Sequence, residues 1–303
     1  MLIWLVLIPL IAAALIGLCK APARPTALLS ASLTLALGIW ALVSFDGCSS
    51  CWSRFEGMDL QLTLAPALSK VMLLLTILVT FATVLGTNPP QGGEASWYNS
   101  ALLISAGATG AFLSDNIISF FAFHELALIP TFVMIGLYGR GDRRTTAWRA
   151  TLYLGLASMV LLAALLMIGT QAGFTFSGLK DFMASGRELA HAELIGALLI
   201  AGFGTLISLF PFHSWAAPAY ASAPAPVAMM HAGVLKKFGL YGLFMFQPLM
   251  ETGFLPWTNI LLVLLVCNVI WVGYVTVNQK RLDLLLGNSS VMHMGYIFLA
   301  FAA

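Results

Sequence analysis

Long runs of hydrophobic residues alternate with short polar stretches along the whole chain. Ten of these runs are long enough, or nearly long enough, to cross a bilayer, and they lie at about 2–18, 26–45, 66–86, 98–114, 116–138, 147–169, 192–212, 224–247, 257–278 and 285–303. A transmembrane helix needs roughly 20 apolar residues. The pattern therefore predicts an all-α integral membrane protein, with about ten transmembrane helices in a single transmembrane domain over residues 1–303.

Two boundaries in this pattern are irregular. The fourth and fifth runs are separated by little more than residues 114–116, and the seventh run is interrupted by Pro211 and followed by the sequence AAPAYASAPAP. Proline breaks or kinks a helix because it has no N–H group to donate. Non-helical backbone at membrane depth persists only where it is buried in protein or lines water. The seventh helix is therefore predicted to be broken and to form part of a transport pathway.

The composition supports this class and excludes several others. Of the 303 residues, 60% are hydrophobic and 9% are charged, whereas soluble domains have about 25% charged residues. The net charge of +2 is too small to indicate nucleic-acid binding. The sequence has no glycine-rich nucleotide loop, no Fe–S cysteine array and no histidine pair at haem spacing. We therefore predict no catalytic residue, cofactor or metal site in this chain, so any redox cofactor belongs to other subunits.

Basic residues are distributed unevenly between the two sets of loops. If the N-terminus lies outside, the loops after odd-numbered helices face the cytoplasm, and these contain eight basic residues: Lys20, Arg24, Arg140, Arg143, Arg144, Arg149, Lys280 and Arg281. The opposite loops contain three: Arg54, Lys180 and Arg187. Basic loops stay on the cytoplasmic side, so the bias predicts an external N-terminus. The first run lacks the features of a signal peptide and is predicted to be a retained helix.

Two of the loops contain features of their own. Cys48 and Cys51 form a CxxC motif in a loop that this orientation places outside. Two thiols cannot complete a tetrahedral zinc site, so the alternatives are a disulfide on the oxidising side of the membrane and two free thiols. The long connection at about 170–193 contains FTFSGLKDF, which fits a short amphipathic surface helix.

Charged residues inside the predicted helices are the candidates for function. They are Lys70, Lys236 and Lys237, the three basic residues not assigned to loops, and Glu125, the clearest buried acid. A charge at the bilayer centre costs at least about 2.5–3.5 kcal/mol, so such residues face the bundle interior and mark ion or proton routes. Lys70 follows Pro66 at the start of the third helix, where snorkelling to the interface is the simpler interpretation.

Glu125 is the clearest buried acid, near the middle of the fifth predicted helix, with His124 beside it and Pro130 downstream. Burial favours the neutral form of a carboxyl group and a nearby cation favours the charged form, so this residue can exchange a proton. The alternative is a structural carboxylate bonded to a neighbouring helix. His124 points about 100° away from Glu125 on a helix, and a packing role and a relay role are both open for it.

Lys236 and Lys237 lie in MMHAGVLKKFGLYGLF. A buried lysine readily changes its protonation state, but adjacent side chains point in different directions, so one lysine is expected to join a polar axis. His231 precedes the pair by five and six residues and does not share a helix face cleanly with either. His213 in FPFHSW and His293 in SSVMHMG are further candidates, for which a relay and ordinary packing are both open.

Four segments between Phe121 and the end resemble a known family. They are FHELALIPTFVMIGLYG, RRTTAWRATLYLGLASMVLLAALLMIG, FPFHSWAAPAYASAPAPVAMMHAGVLKKFGLYGL and NQKRLDLLLGNSSVMHMGYIFL. In this order they resemble the antiporter-like, proton-translocating subunits of respiratory complex I, and among these subunit M, or chain 4, of NADH–quinone oxidoreductase. The resemblance implies an inverted-repeat bundle with broken helices and a polar axis at mid-membrane. Family members have fourteen helices, so this chain is expected to be an N-terminal fragment.

The resemblance assigns family positions to four candidates: the fifth-helix acid to Glu125, the eighth-helix lysine to Lys237, and two conserved histidines to His213 and His293. Two family features are missing. The lysine expected seven residues before the turn histidine is Leu206, and the usual WLPDAH reads WAAPAY. Lys236 is then the candidate replacement for the missing lysine, and the alternative is that this chain has lost pumping.

The implied function is that of a membrane subunit of NADH–quinone oxidoreductase, which couples quinone reduction to proton translocation. The proton-translocation residues would be Glu125, Lys237, Lys236, His213, His231 and His293. The implied partners are membrane lipid and the other subunits of the complex, in the cell inner (plasma) membrane. Peripheral subunits would carry FMN and Fe–S clusters, and the quinone would not bind here. Two alternatives stay open: a related subunit of a cation/proton antiporter, membrane hydrogenase or inorganic-carbon uptake complex, and a non-pumping structural subunit.

Overall fold

The computed structural model describes residues 1–44, 49–52, 60–90 and 92–302. Helices dominate these residues: α1 (Leu2–Gly17), α2 (Ala23–Ser44), α3 (Ala67–Gly86), α4 (Glu94–Leu113), α5 (Ile117–Tyr138), α6 (Arg143–Ala172), α7 (Phe176–Ala184), α8 (Ala192–Leu206), α9 (Ala216–Ser222), α10 (Ala225–Met230), α11 (Lys237–Met245), α12 (Thr258–Val277) and α13 (Leu282–Ala302). A π-helical segment (His231–Leu235) follows α10, and short 3₁₀ and π segments connect α11 to α12: Gln247–Leu249, Met250–Phe254 and Leu255–Trp257.

Each of the ten predicted apolar runs contains helix, which confirms the helical membrane class. Among the described residues, five stretches are long and apolar enough to cross a membrane: Ala23–Ser44, Ala67–Gly86, Ile117–Tyr138, Arg143–Ala172 and Gln247–Val277. α1 and α8 are shorter apolar helices. The count of ten transmembrane helices and the single transmembrane domain therefore stay predictions.

A two-stranded antiparallel hairpin, β1 (Ser49–Trp52) and β2 (Leu60–Thr63), lies between α2 and α3 in the chain. The apolar pattern did not predict it. Strand β2 ends beside the connection between α4 and α5, where the Asp115 N–H group donates to the Gln61 carbonyl at 2.8 Å. Cys48 and the side chain of Cys51 lie outside the described residues, so the disulfide stays a prediction.

Residues Met1–Met134 and Pro224–Leu235 form one compact unit. In this unit α1 packs against α2 and α4, while α3 packs against α2, α4 and α10. Asn116 starts α5, because its Oδ1 atom accepts hydrogen bonds from the N–H groups of Ile118 and Ser119 at 2.9 and 3.0 Å, as N-cap side chains do. The boundary predicted between the fourth and fifth helices is thus set by a side-chain cap.

A close approach between α4 and α5 depends on Gly107. A β-carbon at this position would lie 2.6 Å from the Phe123 carbonyl oxygen and 2.8 Å from the Ala127 nitrogen. Helices in membranes associate through small residues that let their backbones come close. Gly107 therefore determines how closely α5, which carries Glu125, packs against α4.

Residues Ile135–Ala223 and Lys236–Ala303 form a second compact unit. In this unit α6 packs against α8 and α9, α8 packs against α11, and α13 packs against α9 and α12. The predicted amphipathic helix is present as α7, with Leu179 buried and Lys180 and Asp181 exposed.

The predicted broken helix is also present in the second unit, but the break begins earlier than expected. α8 ends at Leu206, a cis peptide bond joins Phe210 to Pro211, and the helix resumes as α9 at Ala216. The prediction that Pro211 interrupts the helix is therefore corrected, because the helix has ended before the chain reaches it.

The end of α8 is closed by its own backbone. Ser208 has a positive φ of 65°, its N–H group donates to the Thr205 carbonyl at 3.0 Å, and the Leu209 N–H group donates to the Gly204 carbonyl at 2.7 Å. These two bonds and the left-handed residue form a Schellman motif. The carbonyl groups of Gly204 and Thr205 are thus bonded within the chain.

Replacement of Gly107 by alanine is expected to lower the free energy of unfolding by about 1–3 kcal/mol, because the methyl group must push α4 away from α5. The matched control is Gly155→Ala in α6, where a β-carbon meets nothing within 4 Å. Thermal unfolding of the full chain in detergent measures both. Equal stability of the two variants would contradict the prediction.

Candidate functional site

Glu125 and His124 form a contact pair on α5. Their side chains meet with His124 Nδ1 3.2 Å from Glu125 Oε1. The histidine side chain is 1% exposed and the glutamate side chain is 33% exposed. A helical offset of about 100° separates their Cα–Cβ directions, yet the flexible glutamate side chain closes the gap. The two side chains are therefore close neighbours, and the imidazole is the group that is shielded from the surroundings.

Aromatic rings and a proline within α5 lie near this pair. The His124 ring lies 6.5 Å from the Phe120 ring, stacked on it, and 6.4 Å from the Phe121 ring. Pro130 lies inside α5 and has no N–H group to donate to the carbonyl of Leu126. The helical turn after Glu125 is therefore weakened, and the Leu126 carbonyl group can accept a hydrogen bond from another donor.

A π-helical turn lies immediately before the two lysines. It spans His231–Leu235, between α10 and α11, and His231 at its start is 6% exposed. Single π turns are rare and occur frequently at functional sites. The apolar pattern predicted one unbroken helix over this region, so the π turn is a correction to it.

Lys236 is the more deeply buried of the two lysines. Its side chain is 0% exposed, and its Nζ atom donates to Ser290 Oγ of α13 at 3.3 Å. The same ammonium lies 5.2 Å from the centroid of the Tyr220 ring of α9, within the range of a cation–π interaction. Lys237, at the start of α11, is half-buried.

The other predicted histidines have separate surroundings. His213, in the break after α8, is half-buried and stacks on Phe210 with ring centroids 5.4 Å apart. His293 on α13 is exposed in this chain, and its Nδ1 atom lies 2.7 Å from the Ser289 carbonyl oxygen. In the second unit the structure therefore brings Lys236 together with Tyr220, but gives His213 and His293 other neighbours.

Asn268 of α12 forms hydrogen bonds with both the broken segment after α8 and helix α13. It is 0% exposed, its Oδ1 atom accepts from the Phe210 N–H group at 3.1 Å, and its Nδ2 atom donates to the Val291 carbonyl of α13 at 3.2 Å. Unwound backbone at membrane depth needs such partners. Asn268 is thus the side chain that makes the open backbone after α8 tolerable.

Sequence reasoning missed Tyr220, Ser290 and Asn268. Ser290 and Asn268 are polar side chains inside predicted apolar runs, and Tyr220 lies in the proline- and alanine-rich stretch after the seventh run. Those positions were the available signal, but none of the three side chains is ionised at neutral pH. In the described part of the chain, no group of three or more His, Cys, Asp or Glu side chains is placed to hold a metal ion.

Comparisons with known proteins agree with the resemblance found in the sequence. A family model described as NADH:quinone oxidoreductase/Mrp antiporter, TM, matches residues 114–303. NAD(P)H-quinone oxidoreductase chain 4 2 of Microcystis aeruginosa is 32% identical over 243 residues, which are 78% of this chain and 43% of that relative. The chain therefore spans less than half the length of this curated relative.

Two solved structures share the fold. A chain of respiratory complex I from Thermus thermophilus superposes with a TM-score of 0.88 at 26% identity, over 100% of this chain and 64% of that one. A chain of the Mrp complex from Dietzia sp. superposes with a TM-score of 0.87 at 20% identity, over 99% of this chain and 34% of that one. The fold thus matches chains of two kinds of complex.

The Asn268→Leu substitution is expected to destabilise the chain by about 1–3 kcal/mol, because it leaves the Phe210 N–H group buried without its acceptor. Asn278→Leu, at the exposed end of α12, makes the same change where the amide is in contact with solvent. Thermal unfolding in detergent compares the two variants. A loss of stability no larger than that of Asn278→Leu would show that Asn268 does not support the break.

Proposed function

This chain belongs to the NADH:quinone oxidoreductase/Mrp antiporter family, and we propose that it is a membrane subunit of a complex in which quinone reduction drives proton translocation. The observation that carries the proposal is Glu125, a carboxylate within an apolar helix and in contact with a buried histidine. Keeping a carboxylate at membrane depth is costly, and such residues characteristically mark proton or ion routes.

In the proposed mechanism, Glu125 exchanges one proton per cycle with His124 or with water. The carboxyl oxygen lies 3.2 Å from Nδ1, so a small rotation of either side chain would bring the two atoms into the aligned hydrogen bond that direct transfer needs. A change of charge or conformation in neighbouring subunits would alter the proton affinity of the carboxyl group. Release and uptake on opposite sides of the membrane would then follow the driving reaction.

Lysine is the proposed cationic member of the pathway. The family position in the seventh helix holds Leu206, the last residue of α8, which is 4% exposed. Between Arg187 and Lys280 the chain has two basic residues other than histidine, Lys236 and Lys237. Either can gain and lose a proton when buried, so the pathway through the second unit depends on this pair, with His213, His231 and His293 as further members.

The redox steps are proposed to occur in partner subunits that carry FMN and Fe–S clusters, with the quinone bound outside this chain. The chain itself would lie in the inner or plasma membrane. Its N-terminus would face outside, because the bias of eight basic loop residues to three favours a cytoplasmic position for the loops after odd-numbered helices.

A cation/proton antiporter subunit is the second candidate function. The family includes Mrp antiporters, and Leu206 removes the lysine that the resemblance expects in the seventh helix. The two functions differ in their driving force. A quinone oxidoreductase subunit moves protons when NADH is oxidised, whereas an antiporter subunit moves them when a sodium gradient is imposed.

Glu125→Gln is expected to abolish proton translocation through this chain, because the amide keeps the shape of the carboxyl group but cannot carry the proton. Loss of a positioned proton carrier slows transfer on the order of 10²–10⁴-fold. Inverted membrane vesicles that contain the whole complex allow NADH oxidation and proton uptake to be measured together. The ratio of protons to electrons should fall while the complex remains assembled.

The exposed Glu188→Gln substitution is the control for the same chemical change. An unchanged ratio in Glu125→Gln would contradict the proposed role of Glu125 and favour a structural subunit. Proton uptake that responds to a sodium gradient and not to NADH would favour the antiporter.

A further inference from the structure

A fully buried lysine in a membrane chain needs compensation, because an ammonium group loses its hydration there. Lys236 has no exposed surface, so it cannot bring its charge to an interface by snorkelling as lysines near helix ends do. What surrounds its Nζ atom therefore decides how firmly the proton is held.

Within the described part of the chain, two neutral groups contact the Lys236 ammonium. Ser290 Oγ accepts its hydrogen bond at 3.3 Å, and the Tyr220 ring presents its π face at 5.2 Å. A hydroxyl group and an aromatic ring stabilise a cation less than a carboxylate does. The site can therefore hold Lys236 in one place and still let its proton leave.

Tight packing between α9 and α13 brings Tyr220 and Ser290 close together. A β-carbon at Gly287 of α13 would lie 2.9 Å from the Ala217 Cα atom and 3.2 Å from the Tyr220 Cβ atom. Because Gly287 has no side chain, α9 can pack directly against α13, one turn before Ser290. The two groups that face Lys236 come from helices that pack tightly against each other, so they form a preorganised site rather than a chance contact.

We propose that Lys236, rather than Lys237, carries the proton through the second unit, and that Tyr220 and Ser290 are positioning residues for its ammonium group. This inference rests on the proposed proton-translocating function and names its lysine. In the step, an Nζ–H bond breaks as an O–H bond forms to a water molecule of the pathway, which leaves a neutral amine and a hydronium ion. The amine later takes a proton from a second hydronium ion of the pathway, whose O–H bond breaks as the Nζ–H bond forms again, so no net charge is created or lost.

Lys236→Arg separates a proton carrier from a structural cation. Arginine keeps the positive charge and does not release its proton in proteins, because its pKa lies far above neutral pH. Proton transfer at this site is expected to slow at least about a hundredfold, which lowers the ratio of protons to electrons in vesicles that contain the whole complex. Lys180→Arg on the exposed face of α7 is the matched control.

Variants of the two positioning residues test the site independently of Lys236. Ser290→Ala removes the hydrogen-bond acceptor, whereas Ser290→Thr keeps a hydroxyl group. Tyr220→Leu removes the aromatic face, whereas Tyr220→Phe keeps it. The ratio of protons to electrons is expected to fall in the first member of each pair and to be restored in the second, with assembly of the complex checked in each membrane preparation.

The outcomes distinguish this inference from the function on which it rests. A normal ratio in Lys236→Arg with a loss in Lys237→Arg would overturn the choice of lysine but leave proton translocation standing. A normal ratio in Lys236→Arg, Lys237→Arg and Glu125→Gln alike would overturn the proposed function itself. Equal loss in Ser290→Ala and Ser290→Thr would show that Ser290 acts through packing and not through its hydroxyl group.

Discussion

Backbone N–H and C=O groups inside a lipid bilayer have no water to bond, and this constraint governs where the chain can leave the helical conformation. At the end of α8 the constraint is met locally by Ser208 and Leu209, which close the last turn. Beyond that turn it is met by Asn268, which accepts from the Phe210 N–H group. Because Asn268 also donates to α13, the side chain that satisfies the break also ties it to α12 and α13.

Close helix approach is the second condition for placing polar groups. Lipid gives apolar helices little reason to associate, so their packing relies on small residues. Gly107 lets α4 approach α5 at Phe123, two residues before Glu125, and Gly287 lets α13 approach α9 at Tyr220. In each unit, a glycine allows two helices to pack closely, and this packing positions a candidate proton-carrying residue or its neighbour.

Local pattern predicted the helices well, because apolar length is a property of each segment alone. The predicted run 257–278 corresponds to α12, Thr258–Val277. The end of α8 was not predictable in this way, since a serine with a positive φ looks like any helical serine in the sequence. The sequence pattern also could not distinguish Lys236 from Lys237. Helical periodicity assumes an unbroken α-helix, whereas a π turn precedes both lysines.

Charge and irregular backbone follow one another along the chain before and at Lys236. From residue 194 to residue 235 the chain contains no Lys, Arg, Asp or Glu, so the broken segment after α8 holds polar backbone but no permanent charge. Lys236 supplies the cation directly after the π turn, where a hydroxyl group and an aromatic ring hold it. An ion pair with a buried carboxylate would fix the proton more firmly and would make each release more costly. On the proposal that Lys236 changes its protonation state in every cycle, its neutral neighbours let the proton leave more readily than a paired carboxylate would.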